Sequence, residues 1–164
     1  MPKSLAIRQL LDCSEREFWE QIFESEEFNR YLYEGLGFEY ELLEWNSETG
    51  YRKARVWPRQ QMPRPLAKVF GERFNYTEEG TFDPAAECYQ FRVIPSAMAD
   101  RIHARGSVVV EAVSERQCER RVTVEIGAEV LGVGRLIEAY LVASTREQYA
   151  KNAAIVNEYL AGFR

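Results

Sequence analysis

After Gly132 and Gly134 the chain changes character: a long middle region rich in strand patterns gives way to one helical run that lasts to the C-terminus. A closing helix of that length is stable only if an apolar side packs on something, and the strands before it are the available surface. A sheet covered by a long helix also leaves room for a guest between the two. Architecture is therefore well constrained, and ligand identity is not.

The period of the apolar residues predicts the elements in turn. Leu5 to Leu11 opens the fold as a strand, and Asp12-Cys13-Ser14 interrupts it. Ser14 with Glu17 forms a capping box, followed by Phe18, Trp19, Ile22 and Phe23 at helical spacing. Ser25 caps a second short helix carrying Phe28, Tyr31 and Leu32, with Gly35 as its stop. Phe38, Tyr40 and Leu42 then alternate with Glu39 and Glu41 as a strand, and Tyr51 to Trp57 returns after an Asn-Ser-Glu-Thr-Gly turn. The three prolines between Pro58 and Pro65 predict a loop. Phe70, Phe74 and Tyr76 predict a strand ending near Glu79-Gly80, and Tyr89, Phe91 and Val93 another. Ile102, Ala104, Gly106, Val108, Val110 and Ala112 share an inward face on the next strand, and Val122, Val124 and Ile126 on the last. This spacing predicts an antiparallel sheet with one solvated face. The closing helix, about 134 to 161, carries two stripes: Leu136, Tyr140, Ala143, Ala150 and Ala154, interrupted by Glu147, and Tyr149, Ala153, Val156 and Leu160.

Composition narrows the function classes. A chain of 164 residues suits one domain over 1–164, and 46% hydrophobic with 29% charged residues is globular rather than disordered. A net charge of -5 lacks the basic footprint of a nucleic-acid binder. Cys13, Cys88 and Cys118 have no C-x-x-C spacing, so free thiols are expected, with no disulfide framework and no zinc site. The first residues lack an apolar signal region, and no stretch approaches the roughly 20 apolar residues of a membrane span, so a cytoplasmic location is expected.

The order of elements resembles the helix-grip fold, an α+β arrangement in which a curved antiparallel sheet with two short N-terminal helices holds a long C-terminal helix. That START-like group includes Bet v 1-type pollen allergens, START lipid-transfer domains and polyketide cyclases. The glycine-broken stretch Ile126 to Gly134, followed by Leu136-Ile137-Glu138-Ala139-Tyr140 and closed by Glu158-Tyr159-Leu160, is similar to the end of a bacterial START-like family. The resemblance implies a cavity between sheet and helix for a small hydrophobic or lipid-like molecule, and no cofactor. The residues are compatible with one: Ala104 and Gly106 are small on the inward face, while Phe70, Phe74, Tyr89 and Phe91 supply large walls. Small beside large also describes interdigitated packing.

Each candidate polar residue has two readings. Glu147 breaks an apolar stripe and is either a polar anchor at a pocket mouth or half of an i,i+4 pair with Lys151. Tyr76, Tyr89 and Tyr140 either bond a ligand head group or serve as core with a wet edge. His103, the only histidine, falls on the outer face with Arg101 and Arg105 and has no partners for a triad or metal site. Arg52, Lys53, Arg55, Arg59, Arg64, Lys68 and Arg73 reverse the sign of an acidic chain around the proline loop, opposed there only by Glu72. With Trp57 and Met62 beside Arg59 and Arg64, that loop suits docking on an anionic membrane; alternatively the cations pair with glutamates across the hairpin. Three functions remain open: non-catalytic binding or transport of a hydrophobic molecule; a cofactorless cyclase- or hydratase-type enzyme on an aromatic or polyketide-like substrate; or a homodimerising interaction module with a filled core.

Overall fold

The structure, a computed structural model, describes residues 2–59, 62–71 and 73–162. Its strands are β1 (Lys3–Leu11), β2 (Glu39–Asn46), β3 (Tyr51–Trp57), β4 (Tyr76–Asp83), β5 (Cys88–Pro95), β6 (Ile102–Ser114) and β7 (Gln117–Ala128). They form one antiparallel sheet in the order β1-β7-β6-β5-β4-β3-β2, a meander from β2 to β7 that β1 extends by pairing Leu5 with Val124 and Leu11 with Cys118. The sheet curves around helix α4 (Gly134–Ala161), which gives the expected α+β helix-grip arrangement. No helix of the described residues is long and apolar enough to cross a membrane.

The first helix, α1 (Glu15–Glu17), starts at the capping box: Ser14 Oγ accepts from the Glu17 N–H at 3.1 Å and Glu17 Oε1 from the Ser14 N–H at 3.1 Å. It runs on as a π-helical stretch, Phe18–Phe23, that buries Phe18, Trp19 and Ile22. Ser25 caps α2 (Glu26–Leu36) through the Phe28 N–H, as expected. The stop is Gly37, in the left-handed region at φ 77°, and not Gly35. Gly35 lies inside the helix, where an added Cβ would stand 3.0 Å from Ile155 Cδ1, so its role is close approach to α4.

Three further expectations change. The expected strand around Phe70 and Phe74 is instead helix α3 (Arg64–Phe70), and β4 starts only at Tyr76 and runs through Glu79 and Gly80. Pro65 pre-sets the first helical turn, and Leu66 and Phe70, four residues apart, bury the same face. Ala112 is exposed although it stays in register with Cys118; it lies at the end of β6, just before a bulge between Ala112 and Ser114. Of the two stripes of α4, only one packs. Leu136, Ala143, Ala150 and Ala154 face solvent, and only Tyr140 of that set is partly covered. The second stripe, Tyr149, Ala153, Val156 and Leu160, packs into the main core with Phe28, Leu11 and Trp19, so it is not a free face for dimerisation.

The glycine-broken segment before α4 has a structural cause. A Cβ on Gly134 would lie 2.6 Å from the Ala128 carbonyl oxygen, a contact only glycine avoids. Ile137 is fully buried one turn later, and the buried Glu138 accepts the Ala128 N–H at 3.0 Å. Together they dock the start of the helix on the end of β7. Glu138→Ala is expected to lose about 1–3 kcal/mol by stranding that amide, and Glu138→Gln under about 1 kcal/mol, because the amide oxygen still accepts. Chemical denaturation of the two variants checks this; equal losses would show that the hydrogen bond is unimportant.

Candidate functional site

Between the concave face of the sheet and α4 lies an unfilled cavity of about 170 Å³. Its walls are unequal. Phe70, Phe74, Phe91, Val93, Ile102 and Ile126 make one side apolar, with Leu32 and Leu36 of α2 closing an end. Across from them, α4 presents Tyr140, Ser144, Thr145, Gln148, Tyr149 and Asn152 at helical spacing. This explains why the first stripe is exposed: over the proximal half of α4 the covered side is the hydroxyl- and amide-bearing one, because it roofs a cavity rather than a packed core.

β4 brings in the single carboxylate among the described lining residues, Glu78, together with Tyr76. Tyr89 donates to Glu78 Oε2 at 3.2 Å, and Arg52 Nη1 stands 3.9 Å from the same oxygen. Arg52 is 7% exposed; it also donates to the Tyr40 hydroxyl and lies 5.6 Å from the centre of that ring. Tyr40 stacks on Tyr33 at 4.5 Å and passes its own hydrogen bond to Glu26 at 3.1 Å. Burial pushes the Glu78 carboxyl above its ordinary range, against the opposing pull of Arg52 and the Tyr89 hydrogen bond. The phenols of Tyr76, Tyr89 and Tyr149 are raised, first by burial and then by the charge of Glu78, so they stay protonated as donors. Among the described residues, no hydrogen bond joins the hydroxyl of Tyr33, Tyr76 or Tyr149 to another protein group, and all three residues line the cavity; the enclosed polar atom without a partner is instead Trp19 Nε1.

A second polar cluster flanks the α4 side. Arg120 is 4% exposed, and its Nε and Nη2 donate to Gln9 Oε1 while Nη1 donates to Asn152 Oδ1 at 2.8 Å. Gln9 in turn donates to the Tyr149 carbonyl at 2.7 Å. Burial pushes the guanidinium down to about 10, so it remains a cation at neutral pH.

Of the residues expected at the site, Phe70, Phe74, Tyr76, Phe91, Ala104 and Tyr140 line the cavity. Tyr89 stands behind the wall and reaches it through Glu78. Gly106 lies beneath Phe91, whose Cζ would be 2.9 Å from an added Cβ. Glu147 is on the solvent side, 60% exposed, and pairs with Lys151 at 3.0 Å. Of the proline-loop residues, Met62 lines the cavity, Trp57 is half-buried, Arg59 pairs with Glu39, and Arg64 is exposed at the start of α3. Gln60, Gln61 and the opposing Glu72 lie outside the described residues. Arg52, grouped by sequence with a solvated basic face, points inward. Apolar patterning does not mark Glu78, Arg120, Gln9 or Asn152, although each strand residue among them falls on the inward alternation of its strand.

A family profile described as "Protein of unknown function (DUF2505)" matches residues 11–160. The chain belongs to the DUF2505 family. No functionally curated protein matches its sequence. Solved structures share the fold of this DUF2505 member at low identity. The Zhui aromatase/cyclase of Streptomyces sp. R1128 superposes with a TM-score of 0.71 at 15% identity, over 97% of this chain and 93% of that one. Norcoclaurine synthase of Thalictrum flavum, in complex with dopamine and hydroxybenzaldehyde, gives 0.69 at 11% identity, over 100% and 89%. A Thermus thermophilus protein gives 0.71 at 12% identity, over 98% of each chain. The helix-grip fold of the family member is thereby shown.

Proposed function

We propose that this protein binds a small amphipathic organic molecule, about one aromatic ring in bulk, in the cavity between the sheet and α4. The observation that supports this reading is the pairing of an apolar wall with a line of hydroxyl and amide groups around an unfilled volume of about 170 Å³. A cavity near 150 Å³ holds benzene, whereas sites for drug-sized ligands span roughly 300–1,000 Å³. The size therefore favours a ring-sized guest over a lipid with long chains. Aromatic side chains enclose the apolar body, and the unpaired phenols of Tyr33, Tyr76 and Tyr149 offer its substituents donors.

Titration of the protein with phenol, followed by amide chemical shifts, is expected to move resonances of β4, β5 and α4 selectively. In Ala104→Phe, which adds a ring where Ala104 lines the wall, those shifts are expected to weaken at least tenfold in midpoint. Unchanged binding in that variant, or none in the parent protein, would overturn the reading.

A second reading, that the cavity is catalytic, is favoured by Glu78. A carboxylate held above its usual range beside protonated phenols is suited to take a proton from carbon next to a carbonyl while a phenol stabilises the enolate. Aromatase/cyclase and synthase relatives of the same fold are consistent with such chemistry. The substrate class would be a ring-bearing carbonyl compound, with no cofactor in the proton transfer itself.

A further inference from the structure

Arg120 is a buried cation whose hydrogen-bond partners are all neutral. Its guanidinium is spanned by two side-chain amide oxygens, those of Gln9 and Asn152, and lies 5.9 Å from the Phe18 ring centre and 5.5 Å from that of Tyr149. The ionisable groups that face it are the Tyr149 phenol and the thiols of Cys118 and Cys13, which hydrogen-bond to each other; no carboxylate is among them. Arg52, by contrast, has Glu78 at 3.9 Å. Among the described residues, Arg52 and Arg120 thus stand against Glu78 at the cavity, while the other buried carboxylate, Glu138, lies at the start of α4 and is engaged by the Ala128 N–H. A buried charge without an opposite charge is costly to retain, and a bound anion would offset that cost.

The geometry also carries the charge to the cavity wall. Arg120 does not line the cavity, but Asn152 and Tyr149 do. With Asn152 Oδ1 committed to Arg120, the other end of the amide, Nδ2, is left as a donor with no protein partner among the described residues. The neighbouring Gln148, Thr145 and Ser144 extend the same edge.

We propose that the Asn152 end of the cavity is an anion subsite, and that the natural guest is a ring-sized organic acid whose carboxylate meets Asn152 Nδ2 in the field of Arg120. This rests on the reading of the cavity as a ligand site and names the chemical class of the ligand. Asn152 touches the guest; Arg120 positions and polarises Asn152.

Benzoate and its neutral isostere benzamide distinguish the cases by isothermal calorimetry. The parent protein is expected to bind benzoate at least tenfold tighter than benzamide. Asn152→Asp places a carboxylate beside Arg120, so it is expected to raise the thermal midpoint and to abolish or reverse the preference while still binding benzamide. Arg120→Gln is expected to lose the preference as well, and the aspartate variant keeps the test decisive if that protein folds poorly. Equal binding of the two probes by the parent, or an undiminished preference in Asn152→Asp, overturns the anion subsite and leaves the ligand cavity standing. Failure of both probes to bind overturns the cavity reading together with the subsite.

Discussion

Replacing Arg52 by Met is expected to destabilise the protein by about 3–5 kcal/mol at pH 7, the usual penalty for leaving a buried charge without its partner. For a chain of this length that is a fall in thermal midpoint of about 10 °C. Arg52 is almost wholly enclosed, and both its charge and its flat face are used, the former toward Glu78 and the latter over Tyr40. The loss should depend on pH, and the sign follows from Glu78. Its carboxyl is already raised by burial, so the fold favours the protonated form, and that contribution is complete below the ordinary value of 4.5 and declines as pH rises through the folded value. Arg52 restrains the rise. Without it the folded value moves higher, and the decline extends further toward neutral pH. The deficit of Arg52→Met should therefore be largest at neutral pH and shrink toward pH 4.5. Adding Glu78→Gln to that variant should restore most of the stability at pH 7. Denaturant midpoints of the parent protein and the two variants across this range provide the check, and a deficit that does not vary with pH would dismiss the coupling.

Glu78→Gln alone is expected to separate a carrier from an enzyme. If Glu78 acts as a base toward carbon, the protein should exchange the α-hydrogens of phenylacetone for deuterium in D₂O faster than buffer does. The carboxylate takes a proton, the resulting enolate is held by a phenol, and a deuteron returns from the exchanged acid. The glutamine variant should lose about 10²–10⁴-fold of that rate, since an amide cannot accept the proton. Its affinity for phenol should change far less. Exchange no faster than buffer in the parent protein would leave the non-catalytic reading, and exchange equal in parent and variant would remove Glu78 from the chemistry. Glu78 is suited to the part because Tyr89 and Arg52 both address Oε2, leaving Oε1 without a donor among the described residues.

Much of this site is written in the strand alternation, where it continues from apolar into polar residues. On β7 the inward set Val122, Val124 and Ile126 continues backward through Arg120 to Cys118; on β3, Arg52 precedes Ala54 and Val56; on β1, Gln9 falls between Ile7 and Leu11; on β4, Glu78 follows Tyr76. Reading the period through polar residues would have placed all four inside. What it could not supply was their meeting. Gln9 and Arg120 are 111 residues apart in sequence, and Arg120 and Asn152 are 32 apart.

Local rules were reliable where the cause is local. The capping box, the Ser25 cap, the strand order of a meander and the extent of the closing helix follow from backbone hydrogen bonding and side-chain period, and they stand in the structure as expected. The sequence alone therefore determined an antiparallel sheet closed by a long helix. Only the tertiary structure decided which side of that helix is covered, because an unfilled, polar-edged cavity rewards hydroxyls and amides where a solid core would have selected leucines, and no period in the chain distinguishes those two surroundings.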